Sequence, residues 1–204
     1  MEAAITRRCF TLAALSFVAR AQKTVFDDEG FAGWQSFGGG SWTAEDNELI
    51  GRFGKNRPGP GYIFTRDLFT DFRLALLFQI SSGGRSAIYF REPRRKWGLD
   101  GENRPGSGPA GGYEVLIDYQ DADNPTGTIS NVQRSKKAVG AEDQWNEMEI
   151  ICRGSDVRIS IAHQNINRFN QLRVQPGVIG FGVPGPAARD IVVRFRNIVI
   201  SSMA

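Results

Sequence analysis

An antiparallel all-β fold, a β-sandwich of the jelly-roll kind, is the class this sequence predicts, and three observations predict it. Apolar residues recur at every second position in six segments, turn-forming residues separate those segments, and beyond residue 22 no stretch keeps a helical period for three turns. Glycine supplies 24 of the 204 residues. That share is about 12% against a usual 7% or so, as many tight turns between short strands require.

The first segment stands outside that fold. Residues 1–23 read MEAAITRRCFTLAALSFVARAQK, with a charged start, an apolar stretch from Phe10 to Val18, and small residues at Ala19 and Ala21. This is the pattern of a secretory signal, and Arg7-Arg8 ahead of Phe10 resembles the twin-arginine export motif. Cleavage after Ala21 leaves one domain, residues 22–204, in the bacterial periplasm or outside the cell. It removes Arg7, Arg8, Arg20 and Glu2, which lowers the formal charge from +3 to +1. So small a charge argues against nucleic acid as a partner, and the lack of any apolar run of about 18 residues leaves no membrane-spanning helix. Cys9 departs with the signal and lies before its apolar stretch, which suits no lipoprotein. Cys152 remains alone, alternates with Met148 and Ile150, and reads as a small buried hydrophobe.

The mature chain then runs strand by strand. DFRLALLFQIS, residues 71–81, puts Phe72, Leu74, Leu76, Phe78 and Ile80 on one face, as a core strand does. The same period marks 86–91, 113–118, 147–153, 157–163 and 191–200, and shorter strands are expected at 48–53, 62–66, 128–132 and 178–183. Turn signals fall between them at Gly38-Gly39-Gly40, Asp46-Asn47, Pro58-Gly59-Pro60-Gly61, Ser82-Gly83-Gly84 and Gly154-Ser155-Asp156. Gln164-Asn165 reads as a further hairpin turn, and Trp34, Trp42 and Trp145 read as core. The segment from Glu92 to Gly112 is long enough without a period to read as a lid or binding loop.

Several of these segments, in this order and spacing, resemble the 3-keto-disaccharide hydrolase domain family, formerly a domain of unknown function. They are FDDEGFAGW at 26–34, GGGSWTAEDNELIG, GYIFTRDLFTDFRL, GGRSAIYFRE, GGYEVLID, PTGTI, QWNEMEI and the closing VRFRNIVI. The resemblance implies a concanavalin A-like jelly roll acting on carbohydrate. Members often carry a His-Gly pair in the strand before the last, where this chain has Gly180-Phe181-Gly182. The family's GYEVQI glutamine is Leu116 here, and an aromatic-glycine pair is replaced by Ser130-Asn131.

A 3-keto sugar asks little of a catalyst, because the ketone acidifies the hydrogen on C2. Removing that proton lets the C1 substituent leave, and water then adds; one base and one oxyanion stabiliser suffice. Glu114 is the candidate base and Arg91 the candidate stabiliser, with Tyr89 on the same face as Arg91 by alternation. Glu114 with Arg91 equally reads as an exposed cross-strand ion pair. Asp118 shares the face of Glu114, so both reach one groove and Asp118 is, with Tyr89, a candidate substrate contact, but their Cα atoms lie about 13 Å apart at ~3.3 Å per residue. That is too far for a glycosidase acid and nucleophile, whose carboxyls sit about 5 to 9.5 Å apart. Trp97, among Arg94, Arg95 and Lys96, is a candidate platform for a sugar ring or a residue tucked on the sheet edge.

Asp118, Asp121, Asp123 and Asn124 offer hard oxygen ligands, so a divalent cation is a conceivable cofactor, though they fit no complete EF-hand loop and read equally as a polar turn. His163, the one histidine, cannot form a zinc site by itself. Two functions stay open: a secreted hydrolase of 3-keto-glycosides, and a lectin-like module of the same fold that binds glycans without turnover.

Overall fold

A computed structural model describes residues 23–24, 31–53, 59–94, 111–183 and 190–203. Residues 1–22, which include the segment read as an export signal, lie outside the described residues, as do Trp97 and most of the long Glu92–Gly112 segment. Within them the fold is all-β, with two antiparallel sheets packed as a sandwich.

The strands in chain order are β1 (Lys23–Thr24), β2 (Trp34–Gly38), β3 (Ser41–Glu45), β4 (Glu48–Phe53), β5 (Gly61–Thr65), β6 (Phe72–Ile80) and β7 (Arg85–Glu92). They continue as β8 (Tyr113–Asp118), β9 (Asn146–Arg153), β10 (Asp156–Ile161), β11 (Gln164–Phe169), β12 (Val178–Val183) and β13 (Ile191–Ser202). The larger sheet has the order β11-β10-β9-β6-β13-β4-β3, with β1 also on β13; the smaller is β2-β5-β12-β7-β8. Strict alternation in β6 buries Phe72, Leu74, Leu76, Phe78 and Ile80 as expected.

The two inner faces meet in an aromatic seam. Phe181 of β12 packs on Phe195 of β13 with ring centroids 4.3 Å apart, Trp34 stacks on Phe181 at 5.6 Å, and Trp42 stacks on Phe195 at 6.5 Å. A fully buried ring of this kind contributes about 1.5–3 kcal/mol. Cys152 is wholly buried in the same core, opposite Phe72 of β6 and Val157 of β10, and burial pushes its thiol pKa up to about 11, which keeps it unreactive. Trp145 departs from the expected core: it is half-buried, with the Arg196 guanidinium 3.9 Å above its ring. The strand carrying Arg196 alternates that side chain outward, and the indole covers it there.

Three other expectations change. Ala162 and His163, both at positive φ (46° and 60°), make the β10–β11 turn, so Gln164-Asn165 begins a strand instead of forming the hairpin tip. The backbone takes this two-residue turn without the Asn-Gly or Asp-Gly signature that would advertise it. Residues 128–132 make no strand; Ile129 bridges both Val115 and Gln133 because the chain doubles back at Ser130 to Val132. Strands β2, β3 and β11 carry too few apolar alternations to stand out in the sequence. By contrast, Asp46 and Asn47 turn at φ 52° and 59°, as that pair suggests.

Candidate functional site

The smaller sheet turns a second, outward face away from the sandwich core. Phe37, Tyr62, Phe64, Ala87, Tyr89 and Val178 cluster there. The rings fold across β12 at Gly180 and Gly182, where that strand offers no side chain beneath them. A Cβ on Gly182 would lie 2.7 Å from Cε2 of Tyr89 and 3.1 Å from Cδ1 of Tyr62, and one on Gly180 would lie 2.5 Å from Cδ1 of Phe64. Tyr62 and Tyr89 consequently meet edge to face, with centroids 5.8 Å apart.

Beside this cluster a cleft of about 320 Å³ opens, lined by Tyr62, Tyr89, Glu92, Gly112, Tyr113, Glu114, Ser130 and Asn131. That volume sits at the lower end of the range for small-ligand sites, about 300–1,000 Å³, and suits a single sugar ring. Strand pairing sets Tyr89 directly opposite Glu114, and the Tyr89 hydroxyl donates to Glu114 Oε1 at 2.9 Å. Burial, reinforced by the Glu114 carboxylate, pushes the Tyr62 pKa up to about 12; the same causes, with Tyr62 itself adding, raise that of Tyr89 further still. Both phenols therefore stay protonated at neutral pH and act as hydrogen-bond donors.

Arg91 does not join them. Simple alternation puts it on the Tyr89 face, but β7 carries a bulge in which Phe90 and Arg91 together oppose Ile179 of β12, with Arg91 at φ 52°. The extra residue reverses the alternation, and the Arg91 side chain is completely buried away from the cleft. Its guanidinium donates to the carbonyls of Thr70 (2.9 and 3.1 Å), Arg173 (3.0 Å) and Gly154 (2.7 Å), and meets Asp71 Oδ1 at 3.3 Å. Gly177 lies so close that a Cβ there would fall 2.5 Å from the Arg91 Cα. Neither the proposed oxyanion contact nor an exposed pair with Glu114 fits this geometry; Arg91 ties three loops together.

The bulge delivers Glu92 to the cleft instead. Its carboxyl is buried, and Oε2 accepts the Gly112 N–H at 2.9 Å. The sequence carried no sign of this, because a bulge at a non-glycine residue leaves the period-two pattern of SAIYFRE unchanged to the eye.

Asp118 lies at the far end of β8, outside the cleft lining. Its Oδ1 accepts the N–H groups of Gln120 and Asp121, and its Oδ2 is 3.9 Å from Arg85. Asp121 caps the next turn through the N–H groups of Asp123 and Asn124, which hold its pKa below the usual carboxylate value. These carboxylates thus serve turns, and among the described residues no three His, Cys, Asp or Glu side chains gather as a metal site would require. His163 is exposed, with Nε2 3.2 Å from Glu147 Oε2 on the larger sheet.

Residues 21–201 match one family, described as the 3-keto-alpha-glucoside-1,2-lyase-like domain. No curated protein matches the chain. Among solved structures, a candidate glycosyl hydrolase from Parabacteroides distasonis ATCC 8503 is similar with a TM-score of 0.67 and 17% identity, over 90% of this chain and 94% of that one. The carbohydrate-binding module CBM66 from Bacillus subtilis is similar with a TM-score of 0.59 and 18% identity, over 83% of this chain and 96% of that one. A Bacillus subtilis protein with a galectin-like fold gives a TM-score of 0.61 at 14% identity, over 83% and 89% of the two chains.

Proposed function

Because the chain belongs to the 3-keto-alpha-glucoside-1,2-lyase-like family of carbohydrate-related β-sandwiches, we propose that it cleaves 3-keto-glycosides by elimination followed by hydration. The observation that carries this reading is the pairing of Glu114 with Tyr89 at the wall of a cleft sized for one sugar ring. Glu114 takes the C2 hydrogen that the 3-ketone has acidified. Tyr62, and Tyr89 once the protonated Glu114 releases its hydroxyl, are neutral phenols that donate to the enolate oxygen forming at C3. They replace Arg91 in that task. The C1–O bond then breaks, and water adds at C1 as the proton returns to C2.

A non-catalytic glycan-binding role is favoured by two observations: the likeness to a carbohydrate-binding module, and the Gly180-Phe181-Gly182 run where the resemblance leads one to expect a His-Gly pair. Substrate chemistry separates the two. Given a 3-keto-glucoside and its parent glucoside in deuterated water, the protein should release aglycone only from the first, with deuterium at C2 of the product. Equal release from both would indicate an ordinary glycosidase. Binding without release would establish the lectin-like role.

We also infer that residues 1–21 form a twin-arginine signal that sends the domain to the periplasm or beyond. Replacing Arg7 and Arg8 by lysine should leave full-length precursor inside the cell, and undiminished export would refute the motif.

A further inference from the structure

We propose that Glu92 is the proton donor to the departing aglycone and, in the second half of the reaction, the base that takes a proton from water. This assignment rests on the reading of Glu114 as the C2 base. The position of Glu92 carries it. Glu92 sits against Gly112, the residue just before β8, where a Cβ at Gly112 would fall 2.6 Å from the Glu92 Cα. Glu114 lies two residues farther along, in β8. The two glutamates are therefore diagonal neighbours, with Cα atoms about 7–8 Å apart. Both line the same cleft, whereas Asp118 lies beyond it. The structure thus supplies the second carboxyl group that Asp118 is too distant to be.

The step balances. Glu114 takes the C2 proton and the electron pair moves to the C3 oxygen as an enolate. The enolate collapses, the C1–O bond breaks, and the aglycone oxygen takes the proton carried by Glu92, leaving an enone. A water molecule then attacks C1 and gives its proton to the Glu92 carboxylate, while Glu114, whose proton has exchanged with solvent, returns one to C2. Both residues end as they began, and the net change is hydrolysis. The Gly112 N–H holds one Glu92 oxygen in place throughout, and the bulge at Arg91 sets the face from which the acid works.

The test uses two 3-keto-glucosides, one with a p-nitrophenyl and one with an alkyl aglycone, in deuterated water. Glu92→Gln keeps an oxygen for the Gly112 N–H. It should lose more than about 100-fold in alkyl aglycone release and less than about 10-fold in p-nitrophenol release, while exchange of the C2 hydrogen continues at the wild-type rate. Equal losses on both aglycones, or loss of C2 exchange together with release, would overturn the assignment. A measurement without any variant guards against misfolding: the wild-type protein should release the two aglycones at rates within about 10-fold of each other. A spread following the full difference in aglycone acidity would show that no acid assists departure. If the wild-type protein neither exchanges C2 nor releases aglycone, the reading of Glu114 fails and this one falls with it.

Discussion

Tyr89 and Glu114 stand directly opposite each other across β7 and β8, and the phenol hydroxyl donates to the carboxylate at 2.9 Å. In the proposed reaction the carboxylate acts as a base and the phenol as a donor, so the two substitutions should have different signatures. Glu114→Gln should lower kcat more than about 100-fold and stop C2 exchange, with little change in thermal midpoint, since the amide oxygen still accepts from Tyr89. Tyr89→Phe should lower kcat by about 100- to 1,000-fold, as loss of one oxyanion donor does elsewhere. Full activity in Glu114→Gln would remove that residue from the mechanism.

Arg91 is expected to matter for stability. Arg91→Met leaves three backbone carbonyls without their donor and Asp71 without its cation, which should cost about 3–5 kcal/mol in urea unfolding. A loss under about 1 kcal/mol would show that the loops hold without it. Because Glu92 follows the bulge, residual folded Arg91→Met protein should also lose activity.

Alkaline titration reports on the same cleft. An unfolded tyrosine loses its proton near pH 10, whereas Tyr62 in the fold keeps it to about 12. Between those values the folded chain binds more protons, so stability is intact below pH 10 and falls as pH rises toward 12. Tyr62 alone contributes roughly 2–3 kcal/mol of that fall, at about 1.4 kcal/mol per unit. Absorbance at 295 nm should therefore show ionisation of Tyr62, Tyr89 and Tyr119 together with unfolding, and their free ionisation near pH 10 in the folded protein would contradict the buried environment.

Gly182→Ala tests whether bare β12 positions the rings. The new Cβ meets the Tyr89 ring at 2.7 Å, so the ring must move and its hydroxyl must leave Glu114. We expect a loss of about 1–3 kcal/mol and a fall in kcat resembling that of Tyr89→Phe. Wild-type kinetics would show that the ring accommodates a methyl group in place.

Much of this architecture was legible in the residues. The alternation of β6, β9 and β13, the Asp46-Asn47 turn and the buried Cys152 follow from patterns that physical chemistry makes nearly unambiguous. The facing of Tyr89 and Glu114 was half legible, since alternation gives a face but not a register. The site's other carboxylate was hidden by one residue. Period-two counting carries Arg91 outward and Glu92 inward, and the bulge inverts both. Nothing local marks the inversion, because the forces that fix it come from Thr70, Gly154 and Arg173, remote in sequence and adjacent only in the fold.

The inserted residue in β7 has a bearing on kinship as well as chemistry. Every position after Phe90 in that strand changes sides of the sheet according to whether the bulge is present. A relative of the same length whose strand ran through these positions without the bulge would therefore turn its counterpart of Arg91 to the cleft and tuck its counterpart of Glu92 inside, even with identical letters at both places. Homologues compared column by column would then look conserved while their clefts carried opposite charge. Within such a family, the parity of one strand sorts members by chemistry where residue identity does not.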